Sequence, residues 1–181
     1  MRVLLPLANG VEELEAVTIL DVLRRGGIQV TSASLTDTLP IKGSRGVTLL
    51  ADATWASLDT ASFDALVLPG GGKGTEVLAA DERVLAAVRD FDKVGKFVTA
   101  LCAAPTLLAK AGILKDRRAT CYPTCAAELG ESYDNAPVIA DGNIITSQGP
   151  GTAMLFALVL VQQFAGDEAA HRVAGGLLTT F

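Results

Sequence analysis

The chain alternates between short apolar runs and longer segments in which apolar residues recur every three or four positions. A short run is typical of a strand buried on both faces, whereas the longer spacing predicts an amphipathic helix. Clusters of Gly, Pro and Asn separate these segments, as turns do. Strands are predicted over 2–8, 28–35, 65–68 and 97–101, hairpins over 40–50 and 138–146, and helices over 12–25, 81–94, 102–111, 149–164 and 167–178.

The order of these elements predicts the fold class. Strands that alternate with helices form a mostly parallel sheet with helices on both faces. The sequence has no internal repeat, no low-complexity tract and no segment typical of a linker, and 181 residues suit one domain. We therefore expect residues 1–181 to form a single α/β domain with a doubly wound sheet.

Composition excludes several classes of protein. Half of the residues are hydrophobic and only 19% are charged, which indicates a large core rather than a disordered, fibrous or disulfide-stapled chain. The longest uninterrupted apolar run covers 153–161, whereas a membrane-spanning helix needs about 18 residues. The net charge of −5 argues against a broad surface for nucleic acid, which would need Lys and Arg.

Cysteine usage bears on the compartment and on metal binding. Three cysteines are an odd number, and Pro6 with three glutamates soon after Arg2 argues against a secretory signal. Cys121 and Cys125 are four residues apart, but the only histidine, His171, lies on the last predicted helix, and a structural zinc site normally takes four Cys or His ligands. We expect a cytoplasmic protein with reduced thiols, without a metal or another cofactor.

Cys102 is the strongest candidate for chemistry. It follows directly on the buried strand 97–101 and stands at the predicted start of a helix, which is the arrangement of a nucleophile elbow. Amides and the dipole at a helix start stabilise a thiolate, so the pKa of Cys102 is expected to lie below about 8.5. A small buried apolar role is an equally supported interpretation of the position alone. Cys121 and Cys125 are expected to be ordinary thiols.

Glu15 is the second candidate. Glu12 and Glu13 need no special role, because carboxylates are favourable in the first turn of a helix. Glu15 differs, since Ile19 and Val22 on the same face continue the apolar stripe, and a core-facing carboxyl is either protonated or paired. A protonated Glu15 beside a thiolate would donate a hydrogen bond and carry protons. The pattern alone favours the alternative, an edge residue that reaches solvent.

A glycine-rich turn over 69–74 follows the strand 65–68. Lys73 is followed by Gly74 rather than Ser or Thr, so the Walker pattern fails. A dinucleotide site would occupy the first strand-to-helix turn, where three glutamates would repel a pyrophosphate. The turn either faces the elbow with its bare amides, as an oxyanion pocket does, or is a plain tight turn.

Five motifs occur in order along the chain: G-V-E-E-L-E, K-G-S-R-G, L-P-G-G, A-L-C-A-A-P and T-S-Q-G-P-G-T. Together they resemble the ThiJ/PfpI superfamily, specifically its Parkinsonism-associated deglycase branch with the YajL-like bacterial members, over essentially the whole chain. The resemblance implies a flavodoxin-like three-layer sandwich and a homodimer. It also implies site residues: a reactive Cys102, a buried protonated Glu15, pocket amides at Gly70, Gly71 and Ala103, and Arg45 near the site at the dimer interface.

One position departs from the family pattern. Members with the fullest catalytic set carry a histidine before a proline, twenty residues after the cysteine, where this chain has Tyr122 before Pro123. YajL-like members also carry an aromatic residue there. A histidine base is therefore absent, and Glu15 or water must move protons.

The resemblance implies an enzyme that acts on methylglyoxal, glyoxal and early glycation adducts of proteins without glutathione. Cys102 would add to the aldehyde, Glu15 would shuttle the proton, and water would release a 2-hydroxy acid such as lactate. Such an activity belongs to defence against oxidative and carbonyl stress. The alternative is a redox-sensing or chaperone-like stress protein whose Cys102 oxidises to sulfinate with little turnover. No residue indicates a thiazole phosphate site, and the missing histidine disfavours amidotransferase or protease activity.

Overall fold

A computed structural model describes residues 1–181 and contains nine strands and seven α-helices. The strands are β1 (Arg2–Leu7), β2 (Gln29–Ser34), β3 (Pro40–Lys42), β4 (Thr48–Leu50), β5 (Ala53–Thr54), β6 (Ala65–Leu68), β7 (Phe97–Leu101), β8 (Val138–Asp141) and β9 (Ile144–Ser147). The helices are α1 (Glu13–Arg25), α2 (Gly72–Ala80), α3 (Glu82–Lys93), α4 (Pro105–Ala111), α5 (Ala126–Leu129), α6 (Ala153–Ala165) and α7 (Asp167–Gly176).

Seven strands form one sheet in the order β5-β2-β1-β6-β7-β9-β8, and only β8 runs antiparallel to its neighbour. The central strands β2-β1-β6-β7-β9 have the flavodoxin-like order. Two separate apolar cores cover the two faces, one built with α1, α6 and α7 and the other with α3 and α4. The predicted three-layer α/β sandwich is confirmed, and β3 and β4 form the expected hairpin outside the main sheet.

The topology brings distant segments to one edge of the sheet. β6 and β7 are paired in parallel, with Leu68 beside Ala100, so the turns that follow them lie next to each other. β1 is the other neighbour of β6, and the chain after it leads into α1. Ligand sites of open α/β sheets lie at this carboxyl edge. The glycine-rich turn, Cys102 and the start of α1 therefore meet there.

The largest differences from the sequence-based expectation are one helix boundary and one helix that was not predicted. The helix after β7 begins at Pro105 instead of at the cysteine, because Cys102 has a φ of 64°, which no α-helical residue adopts. α2 begins at Gly72, inside the segment that the pattern indicated as a turn. The sequence did not predict this helix, because glycine has a low helix propensity. No helix of the structure has both the length and the apolarity that crossing a bilayer requires.

Candidate active site

Cys102 occupies a sharp backbone turn at the end of β7. Its positive φ is uncommon for a residue with a side chain, and such a conformation costs on the order of 1–3 kcal/mol. Hydrogen bonds on both sides hold it: the Cys102 amide donates to the Ser147 carbonyl at 3.0 Å, and its carbonyl accepts from the Tyr122 amide at 2.7 Å. The turn leaves the Cys102 side chain half-buried in a cavity.

Glu15 reaches the same place from α1. The residue is fully buried, so its carboxyl lies on the core-facing side of the helix. Its Oε2 atom accepts a hydrogen bond of 2.8 Å from the Gly70 amide, while Oε1 is buried without a hydrogen-bond partner. A buried carboxylate with one unpartnered oxygen is costly, which favours the protonated acid.

Gly70 brings the two side chains together. A Cβ atom placed on Gly70 would stand 2.5 Å from the Cβ of Cys102 and 2.7 Å from the Oε2 of Glu15. Any residue other than glycine would therefore overlap with the cysteine and the glutamate at once. The absence of a side chain at position 70 is a condition for the contact between Cys102 and Glu15.

The titration of Cys102 and Glu15 is coupled. Burial, opposed by the hydrogen bond from Gly70, raises the pKa of Glu15 from 4.5 to about 7. Burial, with the charge and the hydrogen bond of an ionised Glu15, raises the pKa of Cys102 to about 12. The expected lowering of the thiol pKa is thus wrong while Glu15 is ionised. Because two adjacent anions repel each other, the pair holds at most one negative charge at neutral pH, and the thiolate needs a protonated Glu15.

Backbone amides also contact the sulfur. Hydrogen bonds from the amides of Gly71 and Ala103 act to lower the pKa of Cys102. The Gly70 amide, which was expected beside them, donates to Glu15 instead, while Gly70 itself lies against Cys102. Two amides aimed at one sulfur form a small anion-binding pocket, which would also accept an oxygen that carries negative charge.

The cavity around Cys102 has a volume of about 350 Å³. Arg45, from the loop between β3 and β4, lines it together with Glu12, and Tyr122 stands half-exposed at its side. A second cavity of about 470 Å³ has no hydrophobic lining residue and no cysteine, so the cysteine chemistry belongs to the smaller one. Cys125 also lines the cavity of Cys102, whereas Cys121 is fully buried outside it.

Glu13, to which the sequence pattern assigned no role, holds the loop that carries Arg45. Its carboxylate accepts hydrogen bonds from the Arg45 amide at 2.8 Å, the Val47 amide at 3.3 Å and the Ser44 hydroxyl at 3.1 Å. Burial opposes its ionisation, but these bonds and its own amide lower the pKa of Glu13 to about 2. Nothing in the sequence distinguishes Glu13 from Glu12, because the loop that contacts it lies about thirty residues further along the chain.

The structure contains no histidine in the cavity. His171 lies on α7, where its ring packs against Phe181 with 5.7 Å between the ring centroids. No group of three or more His, Cys, Asp or Glu side chains is arranged to hold a metal ion. The ionisable groups at the cavity are therefore Cys102, Glu15, Glu12, Arg45, Tyr122 and Cys125.

The protein therefore combines a flavodoxin-like sandwich with a cysteine at a nucleophile elbow and a buried glutamate beside it. These features define a class of α/β proteins with a reactive cysteine. A model described as the DJ-1/PfpI family matches residues 1–163. The chain belongs to the DJ-1/PfpI family, and its relatives place it in the DJ-1 branch.

Relatives and solved structures agree with this assignment. Protein dj-1beta of Drosophila melanogaster is 42% identical over 178 residues, which cover 97% of this chain and 95% of the relative. The glutathione-independent glyoxalase DJR-1.2 of Caenorhabditis elegans is 35% identical over 172 residues, covering 93% and 90% of the two chains. The structure of oxidized Toxoplasma gondii DJ-1 superposes with a TM-score of 0.96 at 34% identity, covering 99% of both chains.

Proposed function

We propose that the protein is a cofactor-free glyoxalase that converts methylglyoxal and glyoxal into 2-hydroxy acids without glutathione. The observation that carries the proposal is the buried Glu15 carboxyl, held by the Gly70 amide against Cys102 in an open cavity. A relative of 35% identity is named a glutathione-independent glyoxalase. The cavity of about 350 Å³ accommodates a three-carbon dicarbonyl.

The reaction begins from the protonation state in which Glu15 holds the proton and Cys102 is a thiolate. With Glu15 protonated, the Cys102 thiolate attacks the aldehyde carbon of methylglyoxal, and the carbonyl oxygen takes the proton of Glu15 to give a hemithioacetal and a Glu15 carboxylate. The amides of Gly71 and Ala103 stabilise the charge that develops on sulfur and oxygen. Arg45 faces the same cavity and would contact the second carbonyl oxygen.

Proton transfer between the two carbons is assigned to Glu15. Its carboxylate removes the proton from the former aldehyde carbon and returns it to the neighbouring carbon. The hydroxyl proton passes to the second oxygen, which leaves a thioester of 2-hydroxypropionate on Cys102. Water then hydrolyses the thioester, so that lactate and the thiol are released. A carboxyl with a pKa of about 7 suits both directions of transfer at neutral pH. The absence of a histidine leaves this work to Glu15 and water.

The proposal is tested by incubating the pure protein with methylglyoxal alone and measuring D- and L-lactate. Cys102→Ser serves as the control, because it keeps the size of the side chain and removes the thiolate. We expect lactate from the parent protein and a rate at least about 10³-fold lower from Cys102→Ser. Equal rates from the two proteins would overturn the glyoxalase assignment. Glycated thiols and amines, offered as preformed adducts, test whether the same site also acts as a deglycase.

A redox-sensing or chaperone-like stress protein is the second candidate function. Oxidation adds acceptor oxygens to the sulfur, and the amides of Gly71 and Ala103 with a protonated Glu15 are placed to donate to them. A solved relative of the same fold is described as oxidized. In this case limiting peroxide modifies Cys102 and the lactate assay shows no turnover above the Cys102→Ser control.

We also propose that residues 1–181 form a single domain and that the protein acts in the cytoplasm. Two copies of this domain are proposed to form a homodimer. Four large apolar side chains lie exposed on α1 and the β3–β4 hairpin: Leu14, Val17, Val47 and Leu50, with exposed fractions of 52%, 47%, 52% and 72%. A twofold partner would cover this face, which adjoins Arg45. All three cysteines are free, which suits a reducing compartment.

Leu14→Asp is expected to weaken the homodimer by a factor on the order of 10², because the contact is lost twice across a twofold axis. Val94→Asp is the matched control, since Val94 is 66% exposed on the opposite side at the end of α3. Sedimentation at micromolar concentration should show a dimer for the parent and for Val94→Asp, and a species near 18.7 kDa for Leu14→Asp. A monomeric parent protein would refute the homodimer.

A further inference from the structure

Two of the three thiols line the same cavity. Cys102 and Cys125 are both half-buried there, although Cys125 comes from a different segment of the chain. Cys121 is only four residues away from Cys125 in sequence, but it is fully buried and does not line the cavity. The motifs and the reaction proposed above assign no role to Cys125, which the sequence pattern presented as an ordinary thiol.

The backbone of Tyr122 links the two cysteines. The Tyr122 amide donates to the Cys102 carbonyl at 2.7 Å, and the Tyr122 carbonyl accepts from the Cys125 amide at 2.8 Å. The backbone of Cys102 is therefore connected to the backbone of Cys125 through Tyr122 by two hydrogen bonds. Pro123 and Thr124, between them, are exposed, whereas the Cys125 side chain packs partly against the core that contains α3 and α4. The turn 123–125 has to shift until the two sulfurs meet, because a disulfide normally holds its two Cα atoms within about 7 Å.

We propose that Cys125 is the resolving cysteine of a two-cysteine peroxide site in which Cys102 is oxidised first. The Cys102 thiolate attacks one oxygen of a hydroperoxide, the O–O bond breaks, and the departing oxygen takes the proton of Glu15 to leave as water or an alcohol. The Cys125 thiolate then attacks the sulfur of the Cys102 sulfenic acid. The S–O bond breaks, a second water leaves with a proton from solvent, and the Cys102–Cys125 disulfide forms.

An external dithiol closes the cycle. Its two sulfurs are oxidised to a disulfide, while Cys102 and Cys125 return to free thiols. The exposed position of the turn 123–125 leaves the disulfide accessible to such a reductant. The substrate class of this activity is therefore a hydroperoxide, with a small dithiol or a dithiol protein as electron donor. Resolution by Cys125 also limits oxidation to the sulfenic acid, since it removes that species before a second peroxide reacts.

The test treats the reduced full-length protein with limiting hydrogen peroxide, alkylates the remaining thiols and maps the peptides without reduction. Trypsin cuts after Lys110 and Arg118, so Cys102 is released on a peptide separate from the one that carries Cys121 and Cys125. We expect a cross-link between these two peptides in the parent and in Cys121→Ala. In Cys125→Ser the cross-link should be absent, and sulfinate on Cys102 should increase at least about tenfold.

The proposal is overturned if the parent and Cys125→Ser accumulate the same amount of sulfinate, or if the cross-link survives in Cys125→Ser and is lost in Cys121→Ala. The inference relies on a reactive Cys102 but not on glyoxalase turnover, and the lactate assay distinguishes the two failures. A cross-link without lactate would refute the proposed function and support the resolving role. Lactate without a cross-link would support the proposed function and refute the resolving role of Cys125.

Discussion

Replacing Glu15 with glutamine is expected to lower the rate of lactate production from methylglyoxal by a factor of about 10² to 10⁴, the usual contribution of a general acid–base group. Glutamine keeps an oxygen for the Gly70 amide and a donor for the thiolate, but it has no proton to transfer. The fall should therefore appear in kcat. Initial rates over a range of methylglyoxal concentrations measure it.

Two controls separate proton transfer from other effects. The rate at which iodoacetamide alkylates Cys102, followed against pH, reports the thiolate. Because an ionised Glu15 raises the pKa of Cys102, glutamine should leave the thiolate as available as before or more so. Glu15→Asp withdraws the carboxyl by one methylene and should also impair turnover while the fold is kept. Undiminished lactate production in Glu15→Gln would show that Glu15 is not the proton shuttle.

Glu15→Gln is also expected to change how the free energy of unfolding depends on pH. Folding raises the pKa of Glu15 from 4.5 to about 7, so the folded state binds the proton more tightly. The resulting stabilisation is complete below pH 4.5 and is lost as the pH rises through 7. Glutamine does not titrate, so the free energy of unfolding of Glu15→Gln, relative to the parent, should increase by about 3 kcal/mol across this range. Urea titrations at several pH values measure the difference, and parallel pH profiles would contradict the buried acid.

Gly70→Ala is expected to reduce lactate production by at least about 10², because its methyl group would force Cys102 and Glu15 apart. The overlap should also destabilise the fold by about 1–3 kcal/mol, as overpacking of a tight site does. Lactate rates and urea unfolding of the same preparation give both values. If Gly70→Ala kept the parent rate, the close contact at this residue would not matter for the reaction.

Gly72→Ala is the matched control for this substitution. Gly72 lies two residues further on, at the start of α2, where an added Cβ would meet no atom within 4 Å. Alanine also favours a helix over glycine by about 1 kcal/mol. We therefore expect Gly72→Ala to keep the lactate rate of the parent and to match or exceed its stability, which assigns the effect at Gly70 to the overlap.

Local patterns predicted much of the sandwich because burial dictates them. β6 is a continuous apolar run and β7 is interrupted only by Thr99, as is typical of a strand covered on both faces. α2 was missed, because its first three residues are Gly, Lys and Gly, and its stability comes from packing of residues such as Leu78. Whether such a segment forms a helix depends on tertiary packing, which a local sequence pattern does not contain.

The active site, too, was predicted in part from the sequence and depends in part on tertiary contacts. The sequence by itself determined that Cys102 follows a buried strand and that Glu15 lies on an apolar helix face, because periodicity and the succession of elements along the chain are local properties. Only the tertiary structure decided that the Gly70 amide binds Glu15, that Glu13 holds the Arg45 loop, and that Cys125 shares the cavity. These contacts join residues far apart in the chain. The pKa of Cys102 likewise depends on the charge of Glu15, which no pattern around the cysteine contains.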